Sequence, residues 1–246
     1  MNLFDLREPV SAWSHGAWLL MALPGSVLLW WRAGGDRARQ VVLLGYTFCL
    51  VLCATASTLY HSVQKTGVDL SAYLLLDHIG IYLLIAGSYT PIAWTLMRGA
   101  WRFGTLAFAW VSAALGIAMH VALTDLPAWL PTSLYLAMGW GSILCYFELA
   151  RRLSFQTLRL VVLGGALYSV GALIHLLNWP VLWPGVVGAH EIFHVFVVAG
   201  SVAHYRFMLK VIAPWGWTDP AASAFGNAIQ ECDPASLAPR SILPFD

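Results

Sequence analysis

Apolar runs of membrane-crossing length follow one another along almost the whole chain, and this constrains the fold more than any other feature. A helix needs about 20 apolar residues to cross the hydrocarbon of a bilayer. The sequence offers seven such segments: roughly Pro9 to Arg32, Gln40 to Ser62, Leu70 to Leu96, Trp101 to Leu123, Trp129 to Leu149, Thr157 to Leu177 and Pro184 to Lys210. Lipid leaves backbone polar groups no partner but the chain itself, so only helices and closed barrels span it. These runs lack the period-two alternation of barrel strands. The expected fold class is therefore all-α, a seven-transmembrane helix bundle.

Composition points the same way. Of 246 residues, 59% are hydrophobic and 10% charged, with a mean hydropathy of +0.71, where a soluble domain carries roughly 25% charged residues. No soluble-looking block separates the segments, so residues 1–213 read as one seven-helix membrane domain. From Pro214 to Asp246 the chain turns Pro-, Ala- and Ser-rich with scattered acids, which reads as a poorly ordered C-terminal tail. The first residues lack the basic start and cleavage site of a signal peptide, so the first segment is expected to be retained. Cys49, Cys53 and Cys145 fall inside apolar segments, where a thiol behaves as a small hydrophobe, and no disulfide is expected.

Charge fixes an expected orientation. The net charge is +1, with no footprint for nucleic acid. Arg32, Arg37, Arg39, Arg98, Arg102, Arg151, Arg152, Arg159, Arg206 and Lys210 would share one face, against Arg7 and Lys65 on the other. The positive-inside rule then puts the N-terminus outside and the C-terminus in the cytoplasm. Trp30, Trp31, Trp94, Trp101, Trp129, Trp179 and Trp183 fall near segment ends, as an interfacial aromatic belt requires.

Ionisable groups inside such segments are expensive, and each is a functional candidate with a partner to be found. His190 and His194 stand one turn apart on a helix, about 40° apart around its axis, so both can reach one ion. With Glu191 they match the HExxH pattern of zinc peptidases, in which the glutamate is general base. Zinc needs a third protein ligand, and a catalytic site keeps a position open for water. His61 is the best supplier: the end of the second segment and the start of the seventh share a membrane face. Ser57 lies one turn before His61, on a stripe with Cys53 and Cys49. Asp77, about two turns into the third segment, shares that face and suits a cation or a proton.

Other polar residues carry blander expectations. Adjacent His78 must point away from Asp77, since helix neighbours differ by about 100°. Glu8, Ser11 and His15 form a polar stripe at the start of the first segment, and Glu8 before Pro9 reads first as an ordinary helix-terminal acid. His120, His175 and His204 are expected to pack or to bond between helices.

Taken together, Glu8-Pro-Val-Ser-Ala-Trp-Ser-His15, Ser57-Thr-Leu-Tyr-His61, Asp77-His-Ile-Gly-Ile-Tyr, Gly87-Ser-Tyr-Thr-Pro91 and His190-Glu-Ile-Phe-His194 resemble the motifs of the hemolysin III family. That family is the bacterial branch of the progestin and adipoQ receptor proteins, related more distantly to alkaline ceramidases. The resemblance runs from Glu8 to about Tyr205. It implies a buried zinc held by His61, His190 and His194, with Asp77 matching an acid that contacts the metal-bound water and Ser57 a nearby hydroxyl. It also implies a bacterial plasma membrane location and, from some relatives, hydrolysis of lipid amides. Receptors of this family are drawn with the N-terminus inside, whereas the charges here place it outside.

The expected function is thus a zinc-dependent hydrolase of a membrane lipid amide, with an acyl chain held in the bundle interior. One alternative moves the general base to Glu191. Another, from a different class, is a pore-forming or receptor-like membrane protein whose zinc is structural.

Overall fold

The computed structural model describes residues 6–64, 69–123, 126–151 and 153–216. Lys65 and Arg152 of the charge tally, and the expected tail from Trp217 onward, lie outside the described residues. Residues up to Ala213 form one unit and those from Pro214 another.

Among the described residues the secondary structure is helical. In chain order the helices are α1 (Pro9–Arg32), α2 (Arg37–Ser62), α3 (Ser71–Leu96), α4 (Gly99–Ala122), α5 (Trp129–Trp140), α6 (Ser142–Ala150), α7 (Phe155–Leu177) and α8 (Ala189–Phe207), the last continued by a π-helical turn, Met208–Ile212. Among the described residues five stretches are individually long and apolar enough to cross a membrane: Arg37–Ser62, Ser71–Leu96, Gly99–Ala122, Phe155–Leu177 and Ala189–Ile212. α1 has the length, 24 residues, but mixes Ser11, Ser14, His15 and several tryptophans into its apolar run. Large side chains such as Leu20 (71% exposed), Phe48 (65%) and Leu115 (66%) face outward, which suits lipid and would be costly in water. The chain is a helical membrane bundle.

The departures from the expected segments have local causes. Asp36 caps α2 by accepting the Arg39 backbone N–H at 3.0 Å, which starts the helix at Arg37 rather than Gln40. Ser154 does the same for α7 through the Thr157 N–H, which starts it at Phe155 rather than Thr157. The seventh segment begins at Ala189, not Pro184, because Pro184-Gly185 makes a turn: the Trp183 and Val187 backbones pair across it, and Gly185 sits at φ 77°. The fifth segment is interrupted at Gly141, where a Cβ would lie 2.3 Å from the Phe108 ring of α4. The Tyr89 hydroxyl of α3 donates to the Met138 carbonyl at 2.8 Å beside this break, covering an acceptor that lipid could not satisfy.

Neighbouring helices pack α1 on α2, α2 on α3, α3 on α4 and α7 on α8, with α1 also against α8. At the α2–α3 contact the helices approach too closely for a side chain at two glycines. A Cβ on Gly80 would meet the Cys53 Cα at 2.8 Å, and one on Gly87 the Cys49 Cβ at 2.9 Å. Small residues permit such approach in membrane bundles, and here it carries Ser57 and His61 of α2 to the level of Asp77 on α3. At the other end, Arg32 Nε donates to the Leu209 carbonyl (3.0 Å) and Arg39 Nη1 to the Ala213 carbonyl (3.1 Å). The α1–α2 link and the end of α8 therefore share one face, and the starts of α1, α3 and α8 share the opposite one with the end of α2.

Candidate metal centre

His61, His190 and His194 come together. Each offers a ring nitrogen, and the three donor atoms lie within 4.8 Å of one another. His61 is fully buried and His194 nearly so, while His190 is partly open. The capping turn of α8 positions the pair. Gly188 donates its backbone N–H to Glu191 Oε2 at 2.8 Å, so the helix starts at Ala189 and both histidines fall in its first two turns.

The donor set fits a metal ion on two observations. His61 Nε2 is buried and has no hydrogen-bond partner among the described residues. The Nε2 atoms of His190 and His194 stand 3.0 Å apart, close to the ~3.3 Å edge of a tetrahedron built on zinc–nitrogen bonds of about 2.05 Å.

Around the three lies a layer of orienting contacts. His61 Nδ1 bonds the Glu8 carboxylate, and the Glu8 backbone N–H donates to the His61 carbonyl at 3.1 Å. His194 Nδ1 meets His15 Nδ1 at 3.0 Å. The His15 contact engages the His194 nitrogen opposite the one that meets His190, the arrangement by which outer groups fix a ligand's tautomer, while the Glu8 oxygen on His61 also lies 3.8 Å from His190 Nε2. The expectation of Glu8 as an ordinary helix-terminal acid is thereby corrected: its side chain makes no cap bond at α1. Arg7 Nε lies 3.1 Å from the other Glu8 oxygen, and its guanidinium covers the Tyr60 ring at 4.0 Å. Burial pushes the Glu8 carboxyl up, but the His61 hydrogen bond and the charges of His61 and Arg7 outweigh it and hold the group below its ordinary value.

Asp77 is buried, with Oδ2 3.9 Å from His61 Nε2. Ser57 is buried beside it. Glu191, by contrast, spends its carboxylate on the start of its own helix. Asp77, Ser57, His190 and His194 all border a cavity of about 1340 Å³, larger than the ~300–1,000 Å³ of most small-molecule sites. The cavity reaches from these residues to Met97 and Leu149 near the far ends of α3 and α6 and is lined mainly by apolar side chains.

Of the remaining histidines, His204 packs as expected, against Tyr168 and the Val161 carbonyl. His175 packs as well, against the candidate cluster. It stacks on Phe193, 5.0 Å between centroids, and its ring lies 5.3 Å from that of His190. Depth reasoning named no partner for it, because the end of α7 and the start of α8 are joined by a turn whose path the sequence pattern did not reveal. The Glu8 and His15 contacts had a signal, their seven-residue spacing on one face of α1.

The chain is similar to known proteins over most of its length. The family model described as Haemolysin-III related matches residues 5–205. Hemolysin-3 of Bacillus cereus is 32% identical over 216 residues, covering 87% of this chain and 95% of its own length. The Hemolysin-3 homolog of Bacillus subtilis (strain 168) is 32% identical over 211 residues, covering 84% and 95%. Heptahelical transmembrane protein ADIPOR2 of Oryza sativa subsp. japonica is 31% identical over 209 residues, covering 75% and 85%.

Proposed function

The chain belongs to the Haemolysin-III related family, and from that premise we propose that it is a zinc-dependent hydrolase of a membrane lipid amide. The observation that carries this reading is the unpartnered His61 Nε2, gathered with two other imidazoles and with a buried carboxylate 3.9 Å away. His61, His190 and His194 would hold the ion. When bound, zinc supplies Lewis acidity, polarising a carbonyl and lowering the pKa of water to about 7.

The protein's own residues do the rest. Asp77 receives a proton from the attacking water, whose oxygen bonds to the amide carbonyl carbon. As the C–N bond breaks, Asp77 returns that proton to the leaving nitrogen, giving a fatty acid and an amine. Ser57 orients the water or donates to the carbonyl oxygen as charge develops there. The long apolar cavity holds the acyl chain. By the charge tally the N-terminus lies outside, which turns the end of the bundle bearing the histidines away from the cytoplasm.

The test is metal content and amide hydrolysis of the detergent-purified protein. About one zinc per chain is expected, lost in His61→Ala. Asp77→Asn should keep the metal and lose turnover, whereas Glu191→Gln should keep both. Protein purified without zinc, or turnover that survives Asp77→Asn and not Glu191→Gln, overturns the assignment.

The name of the Bacillus cereus relative, Hemolysin-3, favours a second reading, a pore-forming protein with a structural metal for which Asp77 is the fourth ligand. Liposome dye leakage that persists in His194→Ala, with no lipid amide cleaved, would select it.

A further inference from the structure

The end of the bundle opposite the histidines carries a group of cations that the metal centre does not use. The group is built on an irregularity of α8. In the π-helical turn Met208–Ile212 the Ala213 N–H donates to the Met208 carbonyl, five residues back, at 2.8 Å. The Leu209 carbonyl therefore lacks the partner that an α-helix would give it, and Pro214, next in line, has no N–H to offer. Arg32, the last residue of α1, bonds that carbonyl through Nε at 3.0 Å. Arg39 of α2 bonds the Ala213 carbonyl through Nη1 at 3.1 Å. Two guanidiniums are thus held by backbone on either side of Lys210.

The two arginines differ in what they have left to give. Arg39 is buried, and Asp36 neutralises it through Nη2 at 2.9 Å. Arg32 is exposed; among the described residues it meets no carboxylate, and its Nη atoms make no hydrogen bond. Lys210, Arg206 one turn earlier on α8, and Arg37 at the start of α2 are likewise exposed and paired with no acid among the described residues. Depth narrows the anion that these charges can meet. Trp30 and Trp31, 41% and 75% exposed, directly precede Arg32, and indoles of a membrane helix settle at the headgroup level. The cations therefore lie where lipid phosphates lie, and the free in-plane N–H groups of Arg32 match two oxygens of a phosphodiester.

We propose that Arg32, Arg206 and Lys210 form a binding site for the phosphate of an anionic phospholipid, seated between the α1–α2 link and the end of α8, with Arg37 at its edge. Arg32 donates to the phosphate through its two Nη atoms while its Nε stays on Leu209, and Arg206 and Lys210 supply charge. A zwitterionic lipid is disfavoured, because it brings an ammonium of its own among these cations. The site is independent of the hydrolase reading.

Binding and stability test it together. The full chain in detergent is titrated with dioctanoyl phosphatidylglycerol, dioctanoyl phosphatidylcholine and glycerol 3-phosphate, following the melting temperature and, by native mass spectrometry, the lipid retained. Phosphatidylglycerol should bind as a single retained molecule, about tenfold more tightly than phosphatidylcholine, and glycerol 3-phosphate should not stabilise. Arg206→Gln and Lys210→Gln remove side chains that make no hydrogen bond among the described residues. Each should weaken phosphatidylglycerol binding about fivefold and leave melting in phosphatidylcholine unchanged. Arg32→Lys should lose most of the preference, since one ammonium cannot hold Leu209 and present a fork to the phosphate. Arg159→Gln, at the start of α7 where Arg159 bonds Gln156, should behave as wild type. Equal binding of the two lipids, or an equal loss in Arg159→Gln, overturns the site. Stabilisation by glycerol 3-phosphate would make the ligand a free anion and not a lipid. A preference that emerges only after Asp219, Glu231 and Asp233 are changed to their amides would give the patch to the chain's own tail, and the lipid site would fall.

Discussion

The imidazoles of His15 and His194 meet Nδ1 to Nδ1 at 3.0 Å across α1 and α8. An ion held on His194 Nε2 requires the proton on Nδ1, and His15 is the group that takes the resulting hydrogen bond. Loss of such an outer contact costs roughly 10- to 100-fold in metal affinity at comparable sites. His15→Phe should therefore weaken zinc binding by that order in a chelator competition, while the helical circular dichroism stays unchanged. Undiminished affinity would make His15 a packing residue.

Glu8 plays the same part for His61, and its ionisation carries a pH signature. Its carboxyl is held below the ordinary value, so its contribution to stability is present above the unfolded-state pKa of about 4.3 and fades as pH falls through the lowered folded-state value. In metal-stripped protein, the melting temperatures of wild type and Glu8→Gln should differ at pH 6 and converge in acid. A difference that grows toward low pH contradicts the pairing.

The α2–α3 contact has no room to give. Gly80→Val would drive a side chain into the Cys53 backbone, 2.8 Å from the would-be Cβ, at a cost of about 1–3 kcal/mol. It should also lower zinc occupancy, because His61 and Asp77 sit on the two helices being separated. Gly45, with nothing within 4 Å of its would-be Cβ, is the control: Gly45→Ala should be stabilising by up to ~1 kcal/mol. Equal melting temperatures for the two variants would refute the close approach.

Tyr89 covers the carbonyls at the α5–α6 break, 2.8 Å from Met138 O and 3.2 Å from Gly139 O. Tyr89→Phe leaves an acceptor buried and should cost ~1–3 kcal/mol. Backbone amide exchange around Gly141 should rise while that of α2 does not.

Much of this was legible in the residues, for identifiable reasons. Apolar runs declare membrane helices because lipid tolerates little else, and alternation of direction then fixes depth. That is why His61 could be matched with His190 and His194 though 129 positions separate the first two. Asp77 followed from its depth and face. Glu8 did not, because an acid ahead of a proline satisfies a helix terminus as readily as it does a histidine; the choice depends on how α1 leans on α2. The break at Gly141 was hidden for a related reason: it depends on Phe108 and Tyr89, contributed by other helices. Pro184-Gly185 was the exception, a turn signal within an apolar run that hydropathy overrode.

Glu8 is fastened to His61 twice, by its backbone N–H and by its carboxylate. The residues just ahead of α1 are thus a lever on the histidine cluster. A bulky domain fused ahead of Leu6, or a ligand that tugged there, would pull on an imidazole nitrogen within one residue's reach, and the three rings would shift with nothing having entered the cavity.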